Sequence, residues 1–326
     1  MGPDPAVAVL RRAVRAALAN HPTSSALLVA GSGGSDSTAL AAAVAFEAGR
    51  AQQTIAFITI DHGLQPDSAD QAKRAAALAY ELGFDPVHVV RVQVGRLGGV
   101  EAAARAARYA AIERMRAELG APTLVLLGHT ADDQAETVLL GLGRGSGPRS
   151  IAGMRAERDG YLRPLLAVRR AQTEAACRAL GLDYWDDPHN VDPRFRRVRL
   201  RREVLPLLEE VLAGGVTESL ARTAGQLQDD LDALSDIADR TRTRALSGDH
   251  LAVDCLSDQP RAVLSRVLKT WAEDRGLGPL TAAHVAELVR LVTHWHGQGP
   301  IDLPGGYRVR RASGTLRVDP PADLQE

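Results

Sequence analysis

Leu27-Leu28-Val29-Ala30-Gly31-Ser32-Gly33-Gly34-Ser35-Asp36-Ser37-Thr38 is the stretch that decides the fold. A continuous apolar run breaks into a serine and glycine loop, and the alanine-rich run Ala39 to Ala51 follows. That order predicts a strand, a tight loop and a helix. Glycines let the backbone come close to a ligand, and a helix start presents free N–H groups at the positive end of its dipole. Ser32, Ser35 and Ser37 add hydroxyls. The loop Ser32, Gly33, Gly34, Ser35, Asp36, Ser37 therefore predicts a phosphate or pyrophosphate site. An acid is out of place in a simple anion site, so Asp36 is expected to face a cation such as Mg²⁺ that bridges phosphates.

Two commoner phosphate loops are set aside. One needs Gly-Lys-Ser/Thr, and the only lysines, Lys73 and Lys269, do not follow a glycine. The dinucleotide fingerprint Gly-x-Gly-x-x-Gly would need glycine where Asp36 stands. Asp61, near the end of the next expected strand, keeps an NAD-dependent oxidoreductase as a distant alternative. Residues 32–37 do resemble the SGGxDS loop of the ATP-pyrophosphatase (N-type, PP-loop) superfamily. That resemblance implies ATP as cosubstrate, cleaved to AMP and pyrophosphate by adenylation of a substrate oxygen.

Alternating runs extend the pattern. Residues 5–20 read as an amphipathic helix, 26–30 as a strand, and 54–60 as a buried strand ending in Asp61-His62-Gly63. Helix 66–82, strand 87–94, helix 100–119, strand 123–127 and helix 131–142 follow. Strands alternating with helices imply an α/β, Rossmann-like parallel sheet with helices on both faces. Ligands then sit at the carboxyl ends of the strands, where residues 31–37, 61–63 and 128–136 converge. Residues 141–153 read as a polar, glycine-rich loop, 161–166 as a further strand and 169–180 as a helix. Long helical stretches at 217–247, 260–275 and 281–293 mark a second, mainly helical domain, closed by a hairpin of short strands. The boundary is expected at Gly214-Gly215, giving an ATP-pyrophosphatase domain 1–213 and a supporting, mainly helical domain 217–326.

Composition bounds the rest. A chain of 326 residues with 45% hydrophobic content suggests about two domains with ample core. Cys177 and Cys255 offer neither a disulfide framework nor zinc spacing, and each is expected to be a small buried side chain. No apolar run nears the roughly 18 residues of a membrane span, and no signal-peptide pattern opens the chain, so a cytoplasmic location is expected. The net charge of −1 does not announce a nucleic-acid partner. With only two lysines, however, nearly every cation is arginine, the better bidentate reader of phosphate.

Three constellations carry chemistry. Asp132, Asp133 and Glu136 open a helix at spacings that place their carboxylates on one face. They suit Mg²⁺ or an amine substrate, although acids there are also ordinary capping residues. His62 and His129, at strand tips, are candidates to contact nucleotide. Glu101, Arg105, Arg108 and Tyr109 share a helix face, with one or both arginines expected on pyrophosphate or RNA. Finally, residues 194–202 hold six arginines in nine positions: Arg194, Arg196, Arg197, Arg199, Arg201 and Arg202. That density suits a phosphate backbone and salt-dependent binding.

Together these pieces resemble the tRNA(Ile)-lysidine synthetase family. Its Asp-His-Gly-Leu matches 61–64. Its Glu-x-x-Ala-Arg-x-x-Arg-Tyr matches Glu101, Ala104, Arg105, Arg108 and Tyr109. Its His-x-Ala-Asp-Asp-Gln-x-Glu-Thr matches His129, Ala131, Asp132, Asp133, Gln134, Glu136 and Thr137. Asn190, Asp192, Phe195, Arg197, Arg201, Leu205 and Pro206 match a further element. Thr130, Val198 and Gly99 depart from the family pattern.

The resemblance implies ATP and Mg²⁺, free L-lysine, and tRNA(Ile) with a CAU anticodon, whose wobble cytidine becomes lysidine so that AUA replaces AUG as the codon read. It assigns ATP to residues 32–37, His62 and His129. Mg²⁺ falls to Asp36, and lysine to Asp132, Asp133 and Glu136. Charge stabilisation falls to Arg105 and Arg108, and tRNA to the arginine run. A homodimer is an open expectation. The alternatives are a PP-loop tRNA thiolase, which would need cysteines at the site, and a non-enzymatic adenine-nucleotide-binding module.

Overall fold

The computed structural model describes residues 2–23, 25–63, 67–92, 100–120, 122–145 and 147–321, with the side chains of 100–102 and 189 left out. Leu64, Pro66, Val94 and Gly99, and the Glu101 side chain, therefore lie outside the described residues. The chain forms two compact units, residues Met1–Leu227 and Gln228–Glu326.

The first unit runs α1 (Pro5–Leu18), β1 (Ala26–Ala30), α2 (Ser35–Ala51), β2 (Ile55–Asp61), α3 (Ser68–Glu81), β3 (Val87–Arg91), α4 (Val100–Leu119), β4 (Thr123–Leu127) and α5 (Ala131–Arg144). It continues through α6 (Pro148–Ile151), β5 (Glu157–Arg158), β6 (Tyr161–Leu162), α7 (Arg170–Leu180), α8 (Arg196–Arg199) and α9 (Leu205–Val211) into the start of α10 (Val216–Ala245). The division between units falls inside α10, after the Gly214-Gly215 position read as a boundary.

The sheet order is β3-β2-β1-β4-β6-β5, parallel except for the β5–β6 pair. The strands are apolar on both faces, as a sheet covered on both sides requires. Leu27, Val29, Phe57, Leu124 and Leu126 pack with α1, α2 and α7. Leu28, Ala56, Ile58, Val125 and Leu127 pack with Ala111, Ile112 and Met115 of α4. The period-two side-chain alternation of each strand thus feeds two cores. From β1 the chain goes to β2 on one side and returns to β4 on the other. The carboxyl ends of β1 and β4 therefore flank the point where strand order reverses, which is where such sheets open a crevice.

Two glycines make that crevice. Gly33 has φ +80° in the loop after β1, a conformation L side chains rarely adopt. Gly128, just past β4, lies so close to α2 that an added Cβ would stand 3.0 Å from the Asp36 carbonyl oxygen and the Ser37 Cα.

Several elements depart from the sequence reading. β6 stops at Leu162 rather than Leu166, because Pro164 cannot donate to a ladder. The segment 141–153 is partly helical: α5 continues to Arg144, where Gly145 caps it at φ 62°, and α6 follows. The arginine run is helical, with a π-helical turn at Leu200–Val204 between α8 and α9.

The second unit contains β7 (Leu246–Ser247), β8 (His250–Ala252), α11 (Arg261–Glu273), α12 (Ala282–Thr293), β9 (Ile301–Asp302), β10 (Arg308–Ala312) and β11 (Thr315–Asp319). The expected hairpin, β10–β11, is the centre of a five-stranded sheet ordered β7-β8-β11-β10-β9. The strands at 246–252 escape a sequence reading because they are only two and three residues long. The fully buried Trp271 anchors this unit's core. Cys177 is buried as expected, but Cys255 is exposed, in the turn after β8. No helix among the described residues is long and apolar enough to cross a membrane.

Gly128→Ala must push β4 away from α2. Its unfolding free energy in urea is expected to fall by about 1–3 kcal/mol, the usual range for overpacking, with weakened nucleotide binding. Unchanged stability and binding would contradict the close approach.

Candidate active site

A cavity of about 720 Å³ opens at the strand ends of the first unit. Its walls come from the β1–α2 loop, the ends of β2 and β4, α3, α4, the starts of α5 and α7, and the segment 185–202. Of the expected loop residues, Ser32, Gly34, Ser35, Asp36 and Ser37 line it, and Gly33 supplies the turn. Ser37 Oγ donates to the Gly34 carbonyl (3.1 Å) and accepts from Ser32 N–H (3.1 Å), so its hydroxyl shapes the loop from within. The N-cap of α2 is Gly34, with no side-chain cap. The first amides of α2 therefore remain available to an anion.

Three carboxylates, Asp36, Asp133 and Glu136, gather around arginines. Arg170 Nε donates to Asp36 Oδ2 (2.9 Å) and Nη2 to Asp133 Oδ1 (3.0 Å). The Thr173 hydroxyl lies 2.5 Å from Asp36 Oδ1. Asp133 also accepts from the Thr130 amide (2.9 Å) and hydroxyl (3.0 Å), closing a capping box on α5. Thr130, one of the family departures, is thus a fully buried helix cap. Glu136, at 0% side-chain exposure, accepts from Arg201 Nε at 2.7 Å. Its second oxygen has no hydrogen-bond partner, and Arg197 stands 3.6 Å away.

Burial pushes the carboxyls of Asp36 and Glu136 upward, against the pull of Arg170 and Arg201 respectively. Burial works the same way on Asp133, but Arg170 and the Thr130 amide win and hold it below the usual range. Asp132 points elsewhere. It accepts from Arg169 (3.1 Å) and the Arg170 amide (2.8 Å), and Arg169 continues to Glu218 at 2.6 Å. Asp132 thus shares the helix face of its neighbours without lining the cavity; Asp133 lines it, and Glu136 lies fully buried behind the wall on Arg201, which does line it.

The other candidates separate. His62 and His129 line the cavity, each with a buried Nδ1 that has no hydrogen-bond partner among the described residues, and burial lowers both pKa values, His129 to about 4. Arg108 lines it as well, with a buried, unpartnered Nε, whereas Arg105 is exposed and donates to the Tyr109 hydroxyl (3.3 Å). The arginine run divides. Arg197 and Arg201 turn in to Glu136, Arg194 pairs with Asp192 and Arg199 with Glu203, and Arg196 and Arg202 are exposed.

Arg169, Arg170, Thr173 and Trp185 escaped the sequence reading as site residues. One signal was available: two arginines at the N-terminal end of a helix oppose its dipole, so something else must hold them there. Among the described residues no group of three His, Cys, Asp or Glu side chains forms a metal cage. Asp36, buried beside the α2 amides, fits an ion held mainly by phosphates and water, because Mg²⁺ takes only one or two protein carboxylates in such sites.

Residues 8–208 match the family model described as a PP-loop domain, and residues 251–317 match the TilS substrate binding domain. A tRNA(Ile)-lysidine synthase from Thermobifida fusca is 51% identical over 97% of this chain and 98% of its own length. The synthase of Streptomyces coelicolor is 46% identical over 98% and 99%. A Methanococcus maripaludis U34-tRNA thiolase, NcsA, solved with its 4Fe-4S cluster, shares the fold: TM-score 0.58 at 17% identity, covering 69% of this chain and 80% of that one.

His129 stays neutral in the folded protein well below its ordinary pKa of 6.5. Its unfolded counterpart takes a proton as pH falls through 6.5, so this group removes stability progressively between about pH 6.5 and 4. The full effect is on the order of 3 kcal/mol. The difference in unfolding free energy between wild type and His129→Asn should therefore shift in the variant's favour across that window. A difference that does not vary with pH would contradict the buried neutral imidazole.

Proposed function

Because the chain belongs to the tRNA(Ile)-lysidine synthase family, we propose that it joins free lysine to C2 of the wobble cytidine in the CAU anticodon of tRNA(Ile), using ATP and releasing AMP and pyrophosphate. One observation carries the reading. A phosphate-binding loop and a buried carboxylate of a second helix meet on a single guanidinium, that of Arg170. A cavity so built can take a triphosphate and an amine side by side.

In this reading the cytosine O2 attacks the α-phosphate and pyrophosphate leaves. The lysine ε-amine then attacks C2, loses a proton and expels AMP. Ser32, Gly33, Gly34, Ser35 and Ser37 cradle the departing pyrophosphate with amides and hydroxyls. Mg²⁺, carried in with ATP, supplies positive charge on the phosphates and would be held by Asp36. Arg108 adds a fixed cation in a site of reduced dielectric, where preorganised charge counts most; Arg105 supports it from the exposed side of α4. His62 and His129, both neutral, offer ring nitrogens to nucleotide. Asp133 and the unpartnered Glu136 oxygen receive the lysine ammonium, and Asp132 holds Arg169 beside them. Arg194, Arg196 and Arg199 face outward for tRNA phosphate, Arg202 is exposed where it lines the cavity, and Arg197 and Arg201 orient Glu136.

The defining experiment is pyrophosphate release from ATP with tRNA(Ile) transcript, with and without lysine, alongside nucleoside analysis of the anticodon. The expected outcome is tRNA-dependent release and lysine incorporation at the wobble position. Release without lysine uptake points to another nucleophile, and no release points to a nucleotide-binding module.

Two variants refine it. Glu136→Gln should raise the lysine KM roughly tenfold or more, the usual loss for a charged hydrogen bond, with the KM for ATP little changed; an unaltered lysine KM assigns Glu136 to structure. Asp36→Asn should abolish most pyrophosphate release, and normal release would remove Asp36 from the phosphate site.

A further inference from the structure

Trp185 lies against the phosphate loop. The Trp185 amide donates to the Gly33 carbonyl at 2.8 Å, and the Trp185 carbonyl would stand 3.8 Å from a Cβ on Gly34. The backbone of Trp185 is therefore pinned to the most constrained part of the site, and Trp185, half-buried, is among the residues that line the cavity.

Aromatic residues make up only 4% of this chain, so one on the wall of a polar cavity stands out. The other two tryptophans are explained by packing. Trp271 is fully buried and donates its indole N–H to the Asp249 carbonyl, and Trp295 lies under the Arg311 guanidinium at 5.5 Å. Trp185 has no such partner among the described residues. Among the described residues, and apart from two histidines, it is the one aromatic residue that lines the cavity.

The proposed reaction needs the wobble base out of its stack, and an extruded base is ordinarily received on an aromatic face. The cavity wall combines apolar strand ends, Ala30, Ile58 and Ile60, with Trp185, and Trp185 belongs to the same 185–202 segment as the outward arginines Arg194, Arg196 and Arg199. We infer that the indole face of Trp185 is the platform on which the unstacked wobble cytosine lies during adenylation. The inference rests on the lysidine reading of the site. Trp185 is a substrate-positioning residue in this account. It contributes by its face rather than by a hydrogen bond, so phenylalanine should substitute and alanine should not.

The test compares wild type with Trp185→Phe and Trp185→Ala in the full chain. Steady-state lysidine formation is measured against tRNA and against ATP, together with tryptophan fluorescence on addition of a CAU anticodon stem-loop. The KM for tRNA should rise roughly tenfold or more in Trp185→Ala, in line with the loss of one stacked base. It should recover largely in Trp185→Phe, with the KM for ATP within about twofold throughout. The stem-loop should quench wild-type fluorescence, and Trp185→Phe should lack that component. This readout stands even if Trp185→Ala fails to fold. An active wild-type enzyme with an unchanged tRNA KM in Trp185→Ala, with no quenching from Trp185, or with the ATP KM raised instead, overturns the inference while leaving the lysidine reading intact. Absence of lysidine formation by the wild type overturns that reading and this inference with it.

Discussion

The site depends on one partly buried guanidinium shared between two carboxylates. Arg170 holds Asp36, in the first turn of α2, and Asp133, in the first turn of α5. Those helices follow β1 and β4, the two strands flanking the reversal of strand order. Asp36, Asp133 and Arg170 are all at most one-fifth exposed. Two carboxylates this close and this dry could not both stay charged without a cation between them. Arg170 meets that need from a third element, α7, and so ties three helix starts into one wall.

The same logic repeats outward. Arg201 links Asp133 to Glu136, and Arg169 links Asp132 to Glu218 on α10. The result is an alternation of acids and arginines in which each guanidinium serves two carboxylates. Planar, always-charged arginine suits such bridging better than lysine, which accords with a chain that holds only two lysines. Among the described residues the network leaves specific atoms without a hydrogen bond: the second Glu136 oxygen, Arg170 Nη1, Arg108 Nε, and Nδ1 of His62 and His129. Buried polar atoms are normally paired. These five gather at or beside the cavity, which is where such exceptions are concentrated in this unit.

Much of this was legible in the sequence. The α/β alternation, the phosphate loop and the convergence of three strand tips follow from local pattern, because glycine, serine and apolar runs act locally. The acids at 132–136 were legible as a cluster, but not their division of labour. Asp132 and Asp133 adjoin in sequence, yet one faces Arg169 and the other the cavity, and only tertiary packing decides that. The arginine run was legible as charge and not as two populations, since the turning of Arg197 and Arg201 toward Glu136 depends on a helix with a π-helical turn at 200–204. Arg170 itself went unread because its partners lie 134 and 37 positions away. The short strands at 246–252 carry too few residues to show a period.

The most direct test of this account is a double-mutant cycle between Arg170→Met and Asp36→Asn, read as unfolding free energy in urea at neutral pH. Removing Arg170 alone should cost about 3–5 kcal/mol, because it strands buried carboxylates without their cation. The double variant should cost clearly less than the sum of the single ones, with a coupling of at least about 1 kcal/mol. Additivity within about 0.5 kcal/mol, the behaviour of independent sites, would contradict the claim that the site is organised through Arg170.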